Sequence, residues 1–265
     1  MADLNDLRML MERLRGPDGC PWDAKQTWNS LTRHTIEEAY EVAQAAEDGD
    51  AEHLKEELGD LLLQVLFYSS IAQQQNLFTL DDVMTGLSEK LIRRHPHVFA
   101  NAVAKDADSV SVLWDQIKHQ EKNQPDQSSL LDDLPINLPG MSLAAKIQKR
   151  VSRVGFDWKN TSQVIDKLDE EVSEFKAAYS ESDQSAIAEE YGDLLFTMVN
   201  LARHLKVDSE QQMRFANKKF VQRFQMLEGM LQQAGIAVEN ATQQEMDFYW
   251  EASKRFEIDN SNSDE

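Results

Sequence analysis

Hydrophobic positions recur at intervals of three and four over six long segments of this chain, 31–47, 51–75, 79–94, 162–181, 184–206 and 209–234. That spacing predicts amphipathic helices. In 51–75, Leu54, Leu58, Leu61, Leu62, Val65, Leu66 and Ile71 make one broad stripe, with Glu52, Lys55, Glu56 and Gln73 largely off it. The N-terminal stretch from Met1 to Arg15 also carries Leu and Met at helical spacing, mixed with charges. Strand alternation is nowhere sustained, and only 10 Gly and 6 Pro punctuate 265 residues. The expected fold class is all-α.

The pattern is written twice. Ile36-Glu37-Glu38-Ala-Tyr-Glu41 is followed after fifteen residues by Glu57-Leu-Gly59-Asp60. Leu168-Asp-Glu170-Glu171-Val-Ser-Glu174 is followed, again after fifteen, by Glu190-Tyr-Gly192-Asp193, so all five acids recur at an offset of 133. Flanking pairs recur at 136: Gly19 with Gly155, Trp22 with Trp158, Trp114 with Trp250 and Lys118 with Lys254. A period this long indicates a tandem duplication of one domain rather than a solenoid. The segment 122–141 carries three prolines and a polar start and reads as a linker. The expected organisation is a first domain at 1–121, a linker at 122–141, a second domain at 142–258 and a disordered acidic tail at 259–265.

Composition narrows the function. With 27 Lys+Arg against 47 Asp+Glu, the formal charge is −20, so a basic face for a nucleic-acid polymer and docking on an anionic membrane are both disfavoured. The most apolar run, Leu61 to Phe67, is far short of the roughly 20 residues that span a bilayer. No uninterrupted apolar stretch at the N-terminus resembles a signal peptide, and the one cysteine, Cys20, cannot form an internal disulfide. The expectation is a soluble, cytoplasmic protein.

The repeated acids carry the candidate chemistry. Glu38 and Glu41 share a helix face, with Glu37 beside them, and so do Glu57 and Asp60 on the next helix. Asp48-Gly49-Asp50 between these helices supplies a C-cap glycine and an N-cap aspartate, and so short a connection makes the two helices antiparallel, acids facing acids. Ser180-Glu-Ser-Asp183 is the corresponding break in the second copy. Because Ile36, Ala39, Val42, Leu58, Leu61 and Leu62 interleave with these acids, some carboxylates should lie in a helix-helix groove. There they raise one another's pKa unless a cation compensates. All-oxygen donors favour Mg²⁺, or Mn²⁺, over Zn²⁺. A di-iron carboxylate bundle would require Glu-x-x-His motifs, and no Glu in this chain has a His three residues later. Gly59 and Gly192, each in mid-helix before the final Asp, point to close approach of a neighbouring helix or a ligand. Trp22 and Trp158 read as packing residues, and Arg93-Arg94-His95 as the end of a helix stopped by Pro96.

Taken with Gly19-Cys-Pro-Trp-Asp-x-x-Gln-Thr27, Arg93-Arg-His-Pro-His-Val-Phe99, Lys146-Ile-Gln-Lys-Arg150 and Val154-Gly-Phe-Asp-Trp158, these motifs make the chain resemble the MazG family of nucleoside triphosphate pyrophosphohydrolases. That family belongs to an all-α superfamily that includes dimeric dUTPases. The resemblance implies four-helix-bundle-like domains, a homodimer, and Mg²⁺-dependent hydrolysis of nucleoside triphosphates, with broad base specificity, to nucleoside monophosphate and pyrophosphate. It implies a metal site at Glu171, Glu174, Glu190 and Asp193, with the first-copy set Glu38, Glu41, Glu57 and Asp60 as its counterpart. It also implies a nucleotide site lined by Lys167, Glu170, Glu171, Lys219, Arg223, Trp250 and Lys254. Glu170 and Glu171 are the catalytic candidates, Glu170 either as general base or as an acid supporting the metal ligands. Lys219 and Arg223, one helical turn apart, can offset phosphate charge. The first copy keeps Lys90, Arg94, Trp114 and Lys118 as well as its acids, and the resemblance assigns catalysis mainly to the second copy. Where the family can have a substrate-contacting lysine seven residues before the final Asp, this chain has His53 and Ala186. The alternative reading is a regulator that binds Mg²⁺-nucleotide without turnover.

Overall fold

Most of the longer helices start where the sequence supplies an acceptor for their first free N–H groups. In a computed structural model of the chain, which describes residues 3–106, 109–110, 113–114, 117, 129–132 and 134–261, Asp3 and Asp6 form a reciprocal capping box that opens α1 (Leu4–Leu14). Thr27 with Ser30 opens α3 (Trp28–Asp48), Asp50 opens α4 (Ala51–Gln74), and Thr79 with Asp82 opens α5 (Leu80–Arg94). Short helices α2 (Pro21–Lys25) and α6 (Pro96–Phe99) each begin on a proline, and Pro96 ends α5 as its ring requires.

The later helices are α7 (Gly140–Ser152), α8 (Thr161–Glu181), α9 (Gln184–His204), α10 (Ser209–Gln233) and α11 (Gln243–Ser261), with a 3₁₀ turn at Val238–Asn240. Asn160, Asp183 and Asp208 cap α8, α9 and α10. Among the described residues there is no strand. The six periodic segments correspond to α3, α4, α5, α8, α9 and α10, whereas α7 and α11 lie outside them. Lys118, residues 122–128 of the expected linker and 262–265 of the expected tail fall outside the described residues. Residues 259–261 of that tail belong to α11.

The chain divides into two compact units, Met1–Asn123 and Gln124–Glu265. In the first, α4 is the central helix, packed against α1, α3 and α5. Its C-terminal half supplies Leu66, Phe67 and Ile71 to a core completed by Met11, Leu31 and Leu80. Arg15, 8% exposed, ties the loop after α1 to the end of α4 through Gln74 Oε1 (2.9 Å) and to the carbonyl of Asp23 (2.5 Å). In the second unit α8 pairs with α9, α7 packs on α9 and α10, and α11 packs on α10. Gln148, 4% exposed, donates from α7 to the Phe196 carbonyl of α9 at 2.8 Å. Each unit is thus a bundle in which a short turn joins two antiparallel acid-bearing helices.

The apolar stripe of 51–75 is wider than its own unit buries: Leu58 is 50% exposed and Val65 38%. No helix among the described residues is long and apolar enough to cross a membrane.

Candidate active site

The turns that oppose the acids are nearly identical in backbone but differ in chemistry. Gly49 takes a left-handed φ of 70° after α3, and Ser182 takes 59° after α8. Asp50 then accepts from the N–H groups of Glu52 and His53, and Asp183 from those of Ser185 and Ala186. The second break is therefore only Ser182 and Asp183, since Ser180 and Glu181 remain helical.

In the second unit this geometry brings single carboxylate oxygens of Glu171 and Glu174 on α8 and Glu190 on α9 all within 4.8 Å of one another. Glu171 is buried, Glu190 half-buried and Glu174 exposed. Asp193 lies outside this triple but is close enough to act on it. Burial, followed by the charges of Glu174, Glu171, Asp193 and Glu189, holds the Glu190 carboxyl above its ordinary pKa. Lys167, one turn before Glu171, sits 2.8 Å from it and 2.9 Å from Glu170. Hydrogen bonds to these two acids keep its ammonium protonated well above the usual lysine range.

The first unit repeats the cluster with Glu38, Glu41 and Glu57 within 4.8 Å. Burial, then the charges of Asp60 and Glu41, a hydrogen bond from Glu41 and the charge of Glu57, raise the pKa of Glu38. The buried acid here is Glu57, on the second helix of the pair, and its partner is His53, Nε2 at 2.9 Å. His34 Nδ1 lies 3.2 Å from Glu37. These two histidines were not among the candidate residues. The offset of 133 would have found His34, because it aligns that residue with Lys167.

Oxygen-only donors gathered this closely, each disfavouring the others' charge, fit a hard divalent cation in both chemistry and number. Lys167 neutralises only part of the second cluster.

A second group of expected residues meets on α10 and α11. Trp250 lies 5.1 Å, ring to ring, from Phe220, which stacks in turn on Phe224 at 6.3 Å. Lys219 and Arg223 flank Phe220 on the same helix. Lys254 donates to Glu251 at 2.5 Å, and this hydrogen bond, with the charges of Lys254, Arg255 and Arg223, holds Glu251 below its usual pKa despite some desolvation. Phe220, 57% exposed, is a further residue the sequence reading passed over; its position between Lys219 and Arg223 was the available signal. The helix contacts link this group to the acidic helices through α9, which packs on α10.

Two expectations are corrected. A Cβ at Gly59 or Gly192 would meet nothing within 4 Å, so among the described residues no neighbouring helix makes a close approach there, and of the two expected reasons only a ligand remains. Trp22 and Trp158, read as packing residues, are less covered than that reading suggests, being 55% and 42% exposed. Trp22 instead lies edge-on to His34 (6.2 Å) and Phe67 (6.4 Å), and Trp158 belongs to a loop pinned by Asp157. The Asp157 Oδ1 accepts from Trp158 N–H (2.9 Å), from His204 Nε2 (3.0 Å) and from Arg203.

Comparison with known proteins agrees with the duplicated architecture. Residues 26–99 match the profile of the MazG nucleotide pyrophosphohydrolase domain, and residues 142–219 that of phosphoribosyl-ATP pyrophosphohydrolase. The chain is 44% identical to the nucleoside triphosphate pyrophosphohydrolase of Escherichia coli K12, over 98% of this chain and 100% of that protein. It is 43% identical to the nucleoside triphosphate pyrophosphohydrolase/pyrophosphatase MazG of Thermotoga maritima, over 94% of each. An uncharacterized protein of Bacillus subtilis 168, YabN, is 42% identical over 96% of this chain and 52% of its own length. With 43–44% identity to the Escherichia coli and Thermotoga maritima proteins sustained over at least 94% of each chain, the protein belongs to the MazG family of nucleoside triphosphate pyrophosphohydrolases.

Proposed function

We propose that the chain hydrolyses nucleoside triphosphates, with broad base specificity, to the monophosphate and pyrophosphate, and that the second unit does most of the work. The observation that carries this is the convergence of Glu171, Glu174 and Glu190 within 4.8 Å beside Lys167, in a chain whose full-length relative is named for that reaction. Glu171, Glu174, Glu190 and Asp193 would hold Mg²⁺, with Mn²⁺ as the other suitable ion. Glu38, Glu41, Glu57 and Asp60 form the corresponding set in the first unit. The ion would polarise phosphate oxygens at the bond to be broken.

The chain's own residues supply the rest. Lys167, now held by Glu170 and Glu171, is placed to contact a phosphate oxygen, and a divalent ion held by the acids would supply the charge that frees it. Glu170, exposed and next to Glu171, accepts the proton of the water that attacks the α-phosphorus, and the α–β anhydride oxygen leaves with pyrophosphate. Lys219, Arg223 and Lys254 offset phosphate charge, while Trp250 with Phe220 offers a face on which any base can stack, which supports broad specificity. Open space beside Gly192 leaves room for the substrate at Asp193.

The second unit is favoured because its cluster is paired with a lysine, whereas the first has His34 and His53 in contact with its acids. Exposed apolar side chains on α9 and α10, among them Tyr191 (56%), Met198 (49%) and Val221 (51%), support a homodimer. The lone Cys20 supports a cytoplasmic setting.

The test is product analysis with each nucleoside triphosphate and Mg²⁺. Monophosphate plus pyrophosphate is expected. Diphosphate plus phosphate would move the cleaved bond, and metal-dependent binding without products would favour a sensor.

A further inference from the structure

Between its acids and its hydrophobic core, the first bundle keeps a polar seam along the contact of α3 with α4. On α4, Gln64 lies four residues beyond Asp60, seven beyond Glu57 and four before Tyr68, so all four share one helix face. That face is turned toward α3 at both ends. Glu57 joins Glu38 and Glu41 at one end, and at the other the Tyr68 hydroxyl meets Thr35 Oγ1 at 3.0 Å. Gln64 therefore lies in the same groove as the acids, about 6 Å along the helix from Asp60 at 1.5 Å per residue.

The amide of Gln64 is left with unmet hydrogen bonding. The residue is 5% exposed, and its Oε1 is shut off from water with no hydrogen-bond partner among the described residues. A buried acceptor without a partner costs stability. The duplicate position in the second unit is Thr197, so the fold itself does not require an amide there. One turn further on, Phe67 of α4 and His34 of α3 share a neighbour. Trp22 lies edge-on to both, at 6.4 and 6.2 Å, and bridges the two helices while staying 55% exposed. It belongs to the five-residue α2. His34 Nδ1 is in turn 3.2 Å from Glu37, beside the cluster. Along α4 the groove thus presents carboxylates, then an unpaired amide oxygen, then an open indole ring. Phosphate, sugar and base follow one another in the same order in a nucleotide.

We infer that the first bundle has a nucleotide site of its own, in which Gln64 Oε1 accepts from a sugar hydroxyl and Trp22 stacks on the base. The site rests on the proposed function only in that Glu38, Glu41, Glu57 and Asp60 hold the divalent ion that carries the phosphates. Its lining is not that of the second unit. There Lys167 stands at the position of His34 and Asn200 at that of Phe67, and Trp158 follows an aspartate, Asp157, that is tied to Arg203 and His204.

Calorimetric titration of the full chain with Mg²⁺ and the non-hydrolysable α,β-methylene analogue of ATP tests this. Two bound nucleotides per chain are expected, and one in the Glu171→Gln, Glu190→Gln double variant, which disables the second unit's cluster. In that background Trp22→Ala should weaken the remaining site about tenfold, and Trp22→Phe should keep most of the affinity. The double variant should also prefer the ATP analogue to its 2′,3′-dideoxy counterpart, whereas adding Gln64→Leu should make the two bind equally. Because leucine replaces an unpaired buried acceptor, the nucleotide-free Gln64→Leu chain should melt no lower than its parent, so the lost preference is not lost folding. A single native site that vanishes in the double variant would overturn the inference and leave catalysis in the second unit untouched. A single site that survives the double variant and weakens with Trp22→Ala would support the inference and remove the nucleotide from the second unit. Unchanged affinity in Trp22→Ala, an unchanged sugar preference in Gln64→Leu, or no binding at all would each overturn the inference.

Discussion

Glu171 is 5% exposed, and a carboxylate so placed keeps its charge only with a cation in reach. Lys167 at 2.8 Å supplies it. Replacing Lys167 with Ala should therefore lower the stability of the metal-free chain by about 2 kcal/mol, the range for a hydrogen bond to a charged group, and Mg²⁺ should restore most of the loss. Urea unfolding with and without the ion decides this, and a loss insensitive to metal would refute the coupling. Substituting the acids separates the two units: Glu171→Gln should reduce turnover by about a hundredfold or more, and Glu38→Gln should leave it nearly unchanged. The reverse result would move the active site to the first unit. Gly59 and Gly192 make a matched pair, since open space surrounds both and Ala is favoured over mid-helix Gly by about 1 kcal/mol. Both Gly→Ala variants should melt higher, but only Gly192→Ala should raise KM if the substrate occupies that space as proposed. At this scale the acids were legible, since their spacing repeats without a gap. The partners of the buried acids were not. Which acid of each set is buried, Glu57 on the second helix but Glu171 on the first, depends on how the helices roll against each other, and one-dimensional spacing does not encode that.

Between residue and molecule, the turns and loop anchors decide where the acidic helices face. Of the helix starts, the one at Asp50 was read from the sequence, with Asp183 in the corresponding break, because a cap acts locally on N–H groups two or three residues ahead; Thr27, Thr79, Asn160 and Asp208 cap in the same way. Burial was less readable. Leu58 and Val65 belong to the periodic stripe of α4 yet stay 50% and 38% exposed, because periodicity identifies an apolar face without naming what covers it. The turn at Ser182 gives a direct test of local strain: with φ at 59°, Ser182→Gly should stabilise the second unit by about 1 kcal/mol. Gly49→Ala should destabilise the first by a similar amount. The anchor at Asp157 is pH-dependent. Burial pulls its carboxyl pKa up, but hydrogen bonds from Arg203 and His204, the charge of Arg203 and the Trp158 N–H outweigh that and hold it below the ordinary value. A carboxylate with a depressed native pKa contributes stability above its unfolded pKa, near 3.9 for Asp, and loses it as pH falls through the native value. Asp157→Asn should thus be less stable at neutral pH and show a shallower decline below about pH 4. Equal decline in both chains would mean the clamp contributes nothing.

For the molecule as a whole, the imbalance of −20 is concentrated in a way that predicts its response to metal. Ten of the 47 acids belong to the repeated constellations, and without them the formal charge would be −20 + 10 = −10. The carboxyls of Glu38 and Glu190 have native pKa values above the ordinary one. The sign of such a shift is opposite to that at Asp157: its stabilising contribution is present below the unfolded pKa, near 4.3 for Glu, and is lost as pH rises through the native value. Near neutral pH the metal-free clusters therefore work against the fold. A divalent ion at these clusters would bind the ionised form, relieve the mutual repulsion and have to displace protons at acid pH to do so. Added Mg²⁺ should raise the thermal midpoint more at about pH 7.5 than at about pH 5, and the gain should shrink in Glu171→Gln and shrink further when Glu38→Gln is combined with it. Scanning calorimetry of the three chains at both pH values measures all of these differences. A gain that is the same at both pH values, or that survives the double substitution, would place the ion elsewhere and leave the acidic clusters without their proposed role.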